Sequence, residues 1–430
     1  MAFQNPVVFV PGLTGTSLVD DYPLEPRTLW SAVLHEDFER LSMHPDDPRY
    51  EAVEPARVAP GRLLGLVYDD LVRALRHDLS PRRDEPTPVF AFPYDWRQPL
   101  ADSAERLGLF LEEVLDRTRL LKHYKGWRRD RQRVDLVGHS MGGLVIAEHL
   151  HAAGRRARVR KVATLGTPFL GSVEAVAKLC RGDGSLGGEE PVSREREAAR
   201  STPSIYQLLP SYAGAVQGED GEPGDFDLFD PACWQGSLVA SLSEYVRLHS
   251  VRGVDSPDEV ARAARRLFRN LLDGAREHRG RVRRLSLRRA ELEAPDWLAV
   301  AGAGEATRVA FEIRFDRRGR KRFRIGDRGV DDFPDSRESG DGSVPLASAV
   351  PPCLGAEQVV VVTPEELGFQ EVRDRALGHF TGLHALLPNV NVVQRLVIKH
   401  LRPGFRGPVS GHPLPGVARR DWRPPVAGLR

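Results

Sequence analysis

The sequence predicts an α/β fold: a mostly parallel sheet covered by helices on both faces and interrupted by a helical insertion. Three observations carry this. Short apolar runs recur at residues 7–10, 89–92, 134–137, 159–165, 297–302 and 358–363, each with the length and β-branched content of a buried strand. Amphipathic helical patterns lie between them, the alternation that builds a parallel sheet. Finally, the run at 134–137 passes through Gly138-His139-Ser140-Met141-Gly142 into a second apolar stretch at 143–147, a strand, a sharp turn and a helix in succession.

The first strand begins almost at once, since only five residues precede PVVFVPG at 6–12. That leaves no room for a signal peptide, and no apolar run approaches the ~20 residues of a membrane span. A soluble, cytoplasmic protein, at most peripheral to a membrane, is expected. In 104–115, Leu107, Phe110, Leu111, Val114 and Leu115 repeat at helical spacing. Asp102 or Ser103 can cap that helix, with Glu105 in an acidic first turn. Residues 181–200 are rich in Gly, Glu and Arg, 256–290 look helical and charged, and the strand pattern resumes near 296. The 430 residues are therefore divided into a core, 1–171, a cap or lid over the sheet's C-terminal edge, 172–295, a second part of the core, 296–401, and a loose Pro- and Arg-rich tail, 402–430.

Charge excludes one class of partner. Lys plus Arg number 62 against 60 Asp plus Glu, so no global field argues for nucleic acid. Locally, REHRGRVRRLSLRRA at 276–290 is strongly basic. It reads either as a solvated helix face or as a patch for anionic lipid headgroups. Cys180, Cys233 and Cys353 are far apart and lack metal spacing, which argues against a disulfide framework and fits a reducing compartment.

The turn at Ser140 carries the chemistry. G-x-S-x-G alone is a weak signal, but between a buried strand and a helix it is the turn that lifts a Ser hydroxyl above the sheet edge of an α/β-hydrolase. Gly138 and Gly142 suit a turn with no space for side chains. A Ser nucleophile needs a base, and the base an orienting carboxylate, in this fold in the order Ser, acid, His. Asp341, in GDGSVP at 340–345, fits the acid best, although an Asp-Gly turn needs no catalytic role. Asp331, Asp332 and Asp335 are its rivals in a more polar run. For the base, His384 is favoured and His379 is the alternative; both follow the strand at 358–363. The oxyanion hole requires two backbone donors, for which the amides of Met141 and of Leu13, in Val10-Pro11-Gly12-Leu13-Thr14-Gly15, are the candidates.

Taken together the motifs resemble the lecithin:cholesterol acyltransferase family, with its lysosomal phospholipase A2-type and phospholipid:diacylglycerol acyltransferase relatives. The matching pieces run in the family's order: VVFVPGLTGTSL (7–18), RTLW (27–30), FPYDWR (92–97), VDLVGHSMGGLV (134–145), TLGTPFLGS (164–172), SIYQLLPS (204–211), AGAGE (301–305), GDGSVPLASA (340–349) and HALLPNVNVV (384–393). FPYDWR is the most specific of them. The resemblance implies Ser140 as nucleophile, Asp341 as acid, His384 as base and the Leu13 and Met141 amides as oxyanion hole. Asp95 and Trp96 are expected to line or buttress the acyl site, the alternative being core packing of Trp96 with an Asp95–Arg97 surface pair. Secreted members of the family have a signal peptide and disulfides, neither of which is expected here, and the expected cap matches no family pattern.

The expected function is a serine lipid esterase or O-acyltransferase working on a glycerolipid or phospholipid ester through an acyl-enzyme, with no metal or organic cofactor. Its partners would be the lipid ester and a membrane surface, met by the basic run and by Leu29, Trp30, Val33 and Leu34 as lipid-facing apolar residues. The alternatives are a phospholipase-type membrane-damaging effector and a catalytically idle lipid-binding protein on the same fold.

Overall fold

A computed structural model describes residues 3–22, 25–31, 35–181, 193–219, 226–253, 256–326, 339–368 and 382–429. Its strands are β1 (Val7–Val10), β2 (Thr16–Asp20), β3 (Arg27–Ser31), β4 (His35–Glu36), β5 (Val58–Leu63), β6 (Val89–Ala91), β7 (Val134–His139), β8 (Val159–Leu165), β9 (Val216–Gln217), β10 (Trp297–Gly302), β11 (Phe311–Phe315), β12 (Lys321–Arg324) and β13 (Val359–Val362). All six expected runs join one sheet in the order β13-β10-β8-β7-β1-β6, with every neighbouring pair parallel.

These strands are mostly apolar because both their faces are covered; the charged exceptions are Asp135 in β7, paired with Arg160 of β8, and Lys161 in β8. In β1, Val8 and Val10 point into a cluster with Leu107, Leu111, Leu144 and Ile146. Val7 and Phe9 point the other way, against Tyr68, Leu71, Leu396 and Val397. The first face is packed by the helices Leu100–Arg119 and Met141–Ala153, the second by Gly65–Asp78 and Asn391–Leu401. The helix expected at 104–115 starts earlier than its cap signals suggest, at Leu100 with Pro99 as N-cap. Neither Asp102 nor Ser103 caps it; instead Gln207 Oε1, from far along the chain, accepts from the Leu100 amide at 2.8 Å.

Two smaller sheets were not expected. One is antiparallel, β4-β3-β2-β5; the other sets β9 beside the β11–β12 hairpin. The first hangs directly from the loop after β1. Its strands are half-exposed and broken by register shifts, so they leave no clean alternation in the sequence.

Between β8 and β10 lie the helices Val173–Cys180, Ser193–Ser201, Pro203–Gln207, Gly236–His249 and Pro257–Arg283. The last begins with a reciprocal capping box, in which Ser256 accepts from the Glu259 amide and Glu259 from that of Ser256. Its C-terminal half turns part of the basic run inward. His278 and Arg279 are buried. His278 Nδ1 lies 2.5 Å from Glu148 on the helix Met141–Ala153, and Arg281 Nε donates to the same carboxylate at 2.8 Å. Arg279 donates to the carbonyls of Phe169, Gln207 and Leu209. His278, Arg279 and Arg281 are therefore not free for headgroups: they dock this long helix onto the core. Arg276, Arg283, Arg284, Arg288 and Arg289 stay exposed.

The tail is also corrected. It is not loose: His412 pairs with Val361 as an isolated antiparallel bridge, and Trp422, itself buried, donates from Nε1 to the Val359 carbonyl at 2.8 Å. β13 ends the sheet, and its open edge is covered by the tail, as exposed edges demand. Among the described residues no helix is long and apolar enough to cross a membrane.

Candidate active site

The C-terminal ends of β1, β7, β8, β10 and β13 meet on one edge of the sheet, where ligands bind in open α/β folds. Ser140 follows β7 directly, at φ 52° and ψ −128°. This left-handed region is strained for a residue with a Cβ. The turn is held by the Ser140 amide donating to Leu165 O at 2.8 Å and by Gly143 N donating to Ser140 O at 3.0 Å. Gly142 is forced by contact, because a Cβ there would sit 2.2 Å from the Val10 carbonyl oxygen. The helix Met141–Ala153 then starts behind the hydroxyl, with its positive end towards it.

The structure brings the favoured acid and base to this hydroxyl. His384 Nε2 lies 2.9 Å from Ser140 Oγ, and His384 Nδ1 lies 2.7 Å from Asp341 Oδ2. A carboxylate only accepts, so the proton is assigned to Nδ1 and Nε2 is left to accept from the serine. Asp341 is 1% exposed, and its Oδ1 accepts from the Ser343 and Val344 amides at 3.0 and 2.7 Å. The His384 amide donates to the Asp341 carbonyl at 2.8 Å, so the two loops are tied through backbone as well as side chain. The rivals Asp331, Asp332, Asp335 and His379 lie outside the described residues.

Leu13 lies beside Ser140 in the wall of the cleft. Neither its amide nor that of Met141 donates a hydrogen bond among the described residues. The loop carrying Leu13 is pinned from three sides. Tyr94 Oη donates to Pro11 O at 3.0 Å, Trp96 Nε1 to Thr16 O at 3.1 Å, and Trp30 Nε1 to Thr14 O at 3.4 Å. Two aromatic residues of the Tyr-Asp-Trp-Arg unit thus buttress this loop. Asp95 does something else, and its expected place at the substrate is corrected. It is buried and bound by Arg97 Nε and Nη2 at 2.9 and 2.8 Å. Arg97, 1% exposed, also reaches Glu51 at 2.7 Å and the Leu41 carbonyl at 3.2 Å. Burial alone would raise the Asp95 pKa, but the Arg97 guanidinium outweighs it and holds the carboxyl below its ordinary range. The pair is internal, not on the surface.

The cleft in front of Ser140 has a volume of about 130 Å³ and is lined by Ser140, His384, Leu13, Pro168, Lys178 and Val344 among others. Beyond Leu13, Thr14, Lys178 and Ile205, which border both, lies a narrow cavity of about 30 Å³ walled by Trp30, Phe38, Leu41 and Trp96. That is roughly the space of one water. Lys178 on its border is held by Glu195 at 2.9 Å; no motif pointed to this pair. Leu29 and Trp30 are corrected as lipid-facing residues, since both are buried. β3 lies inside the small sheet, between β2 and β4. Val33 and Leu34 lie outside the described residues.

Burial also governs two histidines beyond the triad geometry. His139 and His400 are each held down to about 3, chiefly by desolvation. Both are neutral in the folded protein, whereas in the unfolded chain they titrate near 6.5. The unfolded state therefore binds more protons below that pH. Stability should be unaffected by these groups above about pH 6.5 and fall as pH drops towards 3, by at most about 1.4 kcal/mol per pH unit for each histidine. Urea midpoints between pH 7 and 4.5 test this: the decline should be shallower in His400→Gln, and equal slopes would count against a buried neutral imidazole.

Comparison with known proteins agrees with this architecture. Residues 65–226 match the family model described as Lecithin:cholesterol acyltransferase. No curated protein matches the chain significantly in sequence. Among solved structures, the Tle4–Tli4 complex aligns with a TM-score of 0.55 at 16% identity, over 80% of this chain and 88% of that one. Phospholipase PlaB from Legionella pneumophila aligns with a TM-score of 0.26 at 14% identity, over 56% of this chain and 36% of its own. Lipase BlEst2 from Bacillus licheniformis gives 0.25 at 18%, over 57% and 74%. At such identities the first likeness is one of fold, and the other two are too low in score to carry an argument. The family match runs through the Tyr-Asp-Trp-Arg unit and the Ser140 turn, and the parallel sheet beneath them has the α/β-hydrolase fold.

Proposed function

We propose that the chain is a serine lipid esterase or O-acyltransferase that works through an acyl-enzyme on Ser140. The observation that carries the reading is the hydrogen-bonded series Ser140 Oγ, His384 Nε2, His384 Nδ1 and Asp341 Oδ2, at 2.9 and 2.7 Å. In this reading Ser140 attacks an ester carbonyl while His384 takes its proton. Asp341 stabilises the resulting imidazolium. The Leu13 and Met141 amides, which have no acceptor among the described residues, receive the negative charge that develops on the carbonyl oxygen. His384 then returns the proton to the departing alcohol, and water or a second alcohol releases the acyl group.

The adjoining apolar cavity supports an acyl chain as the bound group, with Trp30, Phe38, Leu41 and Trp96 as its walls. Because it is so narrow, a chain enters only when its wall moves. The family match supports a lipid ester as the substrate class, and the region 172–295 is the cap under which it would lie. A fluorophosphonate probe tests the reading. It should label the wild-type protein at Ser140, as mass spectrometry of the labelled peptide would reveal, and block fatty-acid release from phospholipid or glycerolipid vesicles. A protein that releases fatty acid but is labelled elsewhere, or not at all, would refute the assignment.

Trp96→Phe keeps an aromatic wall but removes the donor to Thr16 O. The loop carrying Leu13 should loosen, and turnover should fall about tenfold, the worth of roughly one net hydrogen bond. Melting temperature should drop by only a few degrees. Unchanged turnover with a large loss of melting temperature would mean that Trp96 serves packing alone.

A further inference from the structure

His139, the residue before Ser140, is 3% exposed, and both its ring nitrogens are engaged. Nε2 lies 2.9 Å from the carbonyl oxygen of His384. A carbonyl only accepts, so Nε2 carries the proton. On a neutral ring Nδ1 is then an acceptor. Its partner is the Tyr68 hydroxyl, 3.0 Å away and 2% exposed, on the helix Gly65–Asp78. With its own proton given to His139, the Tyr68 oxygen accepts the Gly12 amide at 3.1 Å. Every link has one direction: Gly12 N–H to Tyr68, Tyr68 O–H to His139 Nδ1, His139 Nε2–H to the His384 carbonyl. Gly15 lets the loop fold over the hydroxyl, since a Cβ there would approach the Tyr68 oxygen to 2.7 Å.

We infer that Tyr68 and His139 are positioning residues, forming a buried strut that sets the distances between the loop of Leu13, the Ser140 turn and the His384 base. The inference rests on the proposed roles of those three elements. Gly12 is bonded directly to Leu13, His139 to Ser140, and the third anchor is the main chain of His384 itself. The strut therefore ties the oxyanion donor, the nucleophile and the base through one side-chain pair that touches no reacting atom. It also fixes the charge beside the base. The His139 and His384 rings are 5.0 Å apart, and an imidazolium forms on His384 during the reaction. A second cation at that distance would oppose it; a ring whose Nδ1 is occupied by a hydroxyl donor stays neutral and does not. No carboxylate is needed to hold the pair, so the region adds no charge that would compete with Asp341.

Tyr68→Phe removes one oxygen and keeps the ring that packs on Phe9. It leaves the Gly12 amide and His139 Nδ1 without partners. On a soluble p-nitrophenyl ester, kcat should fall about tenfold with KM within about twofold, and the rate of fluorophosphonate labelling of Ser140 should fall in parallel. His139→Leu, which can neither donate nor accept, should lose about a hundredfold. His139→Gln, which offers one donor and one acceptor, should recover part of that loss. Rates are referred to the folded fraction measured by circular dichroism, so that a variant that is only less stable does not count. Wild-type kcat and labelling rate in folded Tyr68→Phe, or equal losses in His139→Gln and His139→Leu, would overturn the strut while leaving Ser140 as nucleophile intact. Failure of the wild-type protein to be labelled at Ser140 would instead remove the reading on which the strut depends.

Discussion

Ser140→Ala is expected to lower ester hydrolysis by on the order of 10⁴-fold or more while leaving the fold in place. The change takes away one oxygen, which in the folded protein only meets His384 Nε2, so no buried partner is stranded. Backbone conformation makes the prediction sharper. At φ 52° alanine suffers the same strain as serine, whereas glycine does not. Ser140→Gly should thus be as inactive as Ser140→Ala but more stable, by about 1 kcal/mol. Urea unfolding of the three proteins, with fatty-acid release measured alongside, checks both halves. Residual turnover within tenfold of wild type in either variant would end the assignment. Equal stability of the glycine and alanine forms would mean that the turn stores no strain.

Arg97→Ala should be the most damaging substitution for stability, lowering the unfolding free energy by about 3–5 kcal/mol. Arg97 sits among Asp95, Glu51 and the Leu41 carbonyl with almost no exposure. Without it, two carboxylates face a dry interior without their guanidinium partner, and burial then pushes Asp95 towards protonation. The damage should reach the cleft as well. Asp95 lies between Tyr94 and Trp96, whose side chains hold the loop of Leu13 at Pro11 and Thr16. Arg97→Lys retains the charge but not the two-pronged contact, and should recover only part of the loss. Denaturant midpoints across these variants measure the effect. A loss below about 1 kcal/mol for Arg97→Ala would show that solvent reaches the pair.

The fate of the Tyr-Asp-Trp-Arg unit illustrates why some of the site was legible in the sequence and some was not. Its aromatic density marked it as special, and it does sit beside the Ser140 cleft. Whether each residue would face the cleft or support it from behind depended on segments distant in sequence. Glu51 and the Leu41 carbonyl draw Arg97 inward, and Arg97 takes Asp95 with it. Part of the basic run at 276–290 was unreadable for the same reason. Counting charges suggests an outer face, but the acceptors that draw His278, Arg279 and Arg281 inward are Glu148 and three main-chain carbonyls elsewhere. Trp422 in the tail was similarly unreadable, since its partner is the bare edge of a strand about sixty residues earlier.

What the sequence determined by itself was the central sheet and the positions of the chemical groups along it. Strands covered on both faces are mostly apolar, so each of the six announces itself locally as a short apolar run. Ser140 lies in the turn after β7, while Asp341 follows β10 and His384 follows β13 along the chain, and parallel strands send the chain after each of them towards one edge. Tertiary structure alone decided which polar groups are tied together. The Tyr68 hydroxyl becomes part of the Ser140 region only once the helix Gly65–Asp78 packs beside β1. The small sheet, the docked helix Pro257–Arg283 and the pinned tail all rest on contacts between distant segments, and on burial that turns a charged or polar side chain into one that must find a partner.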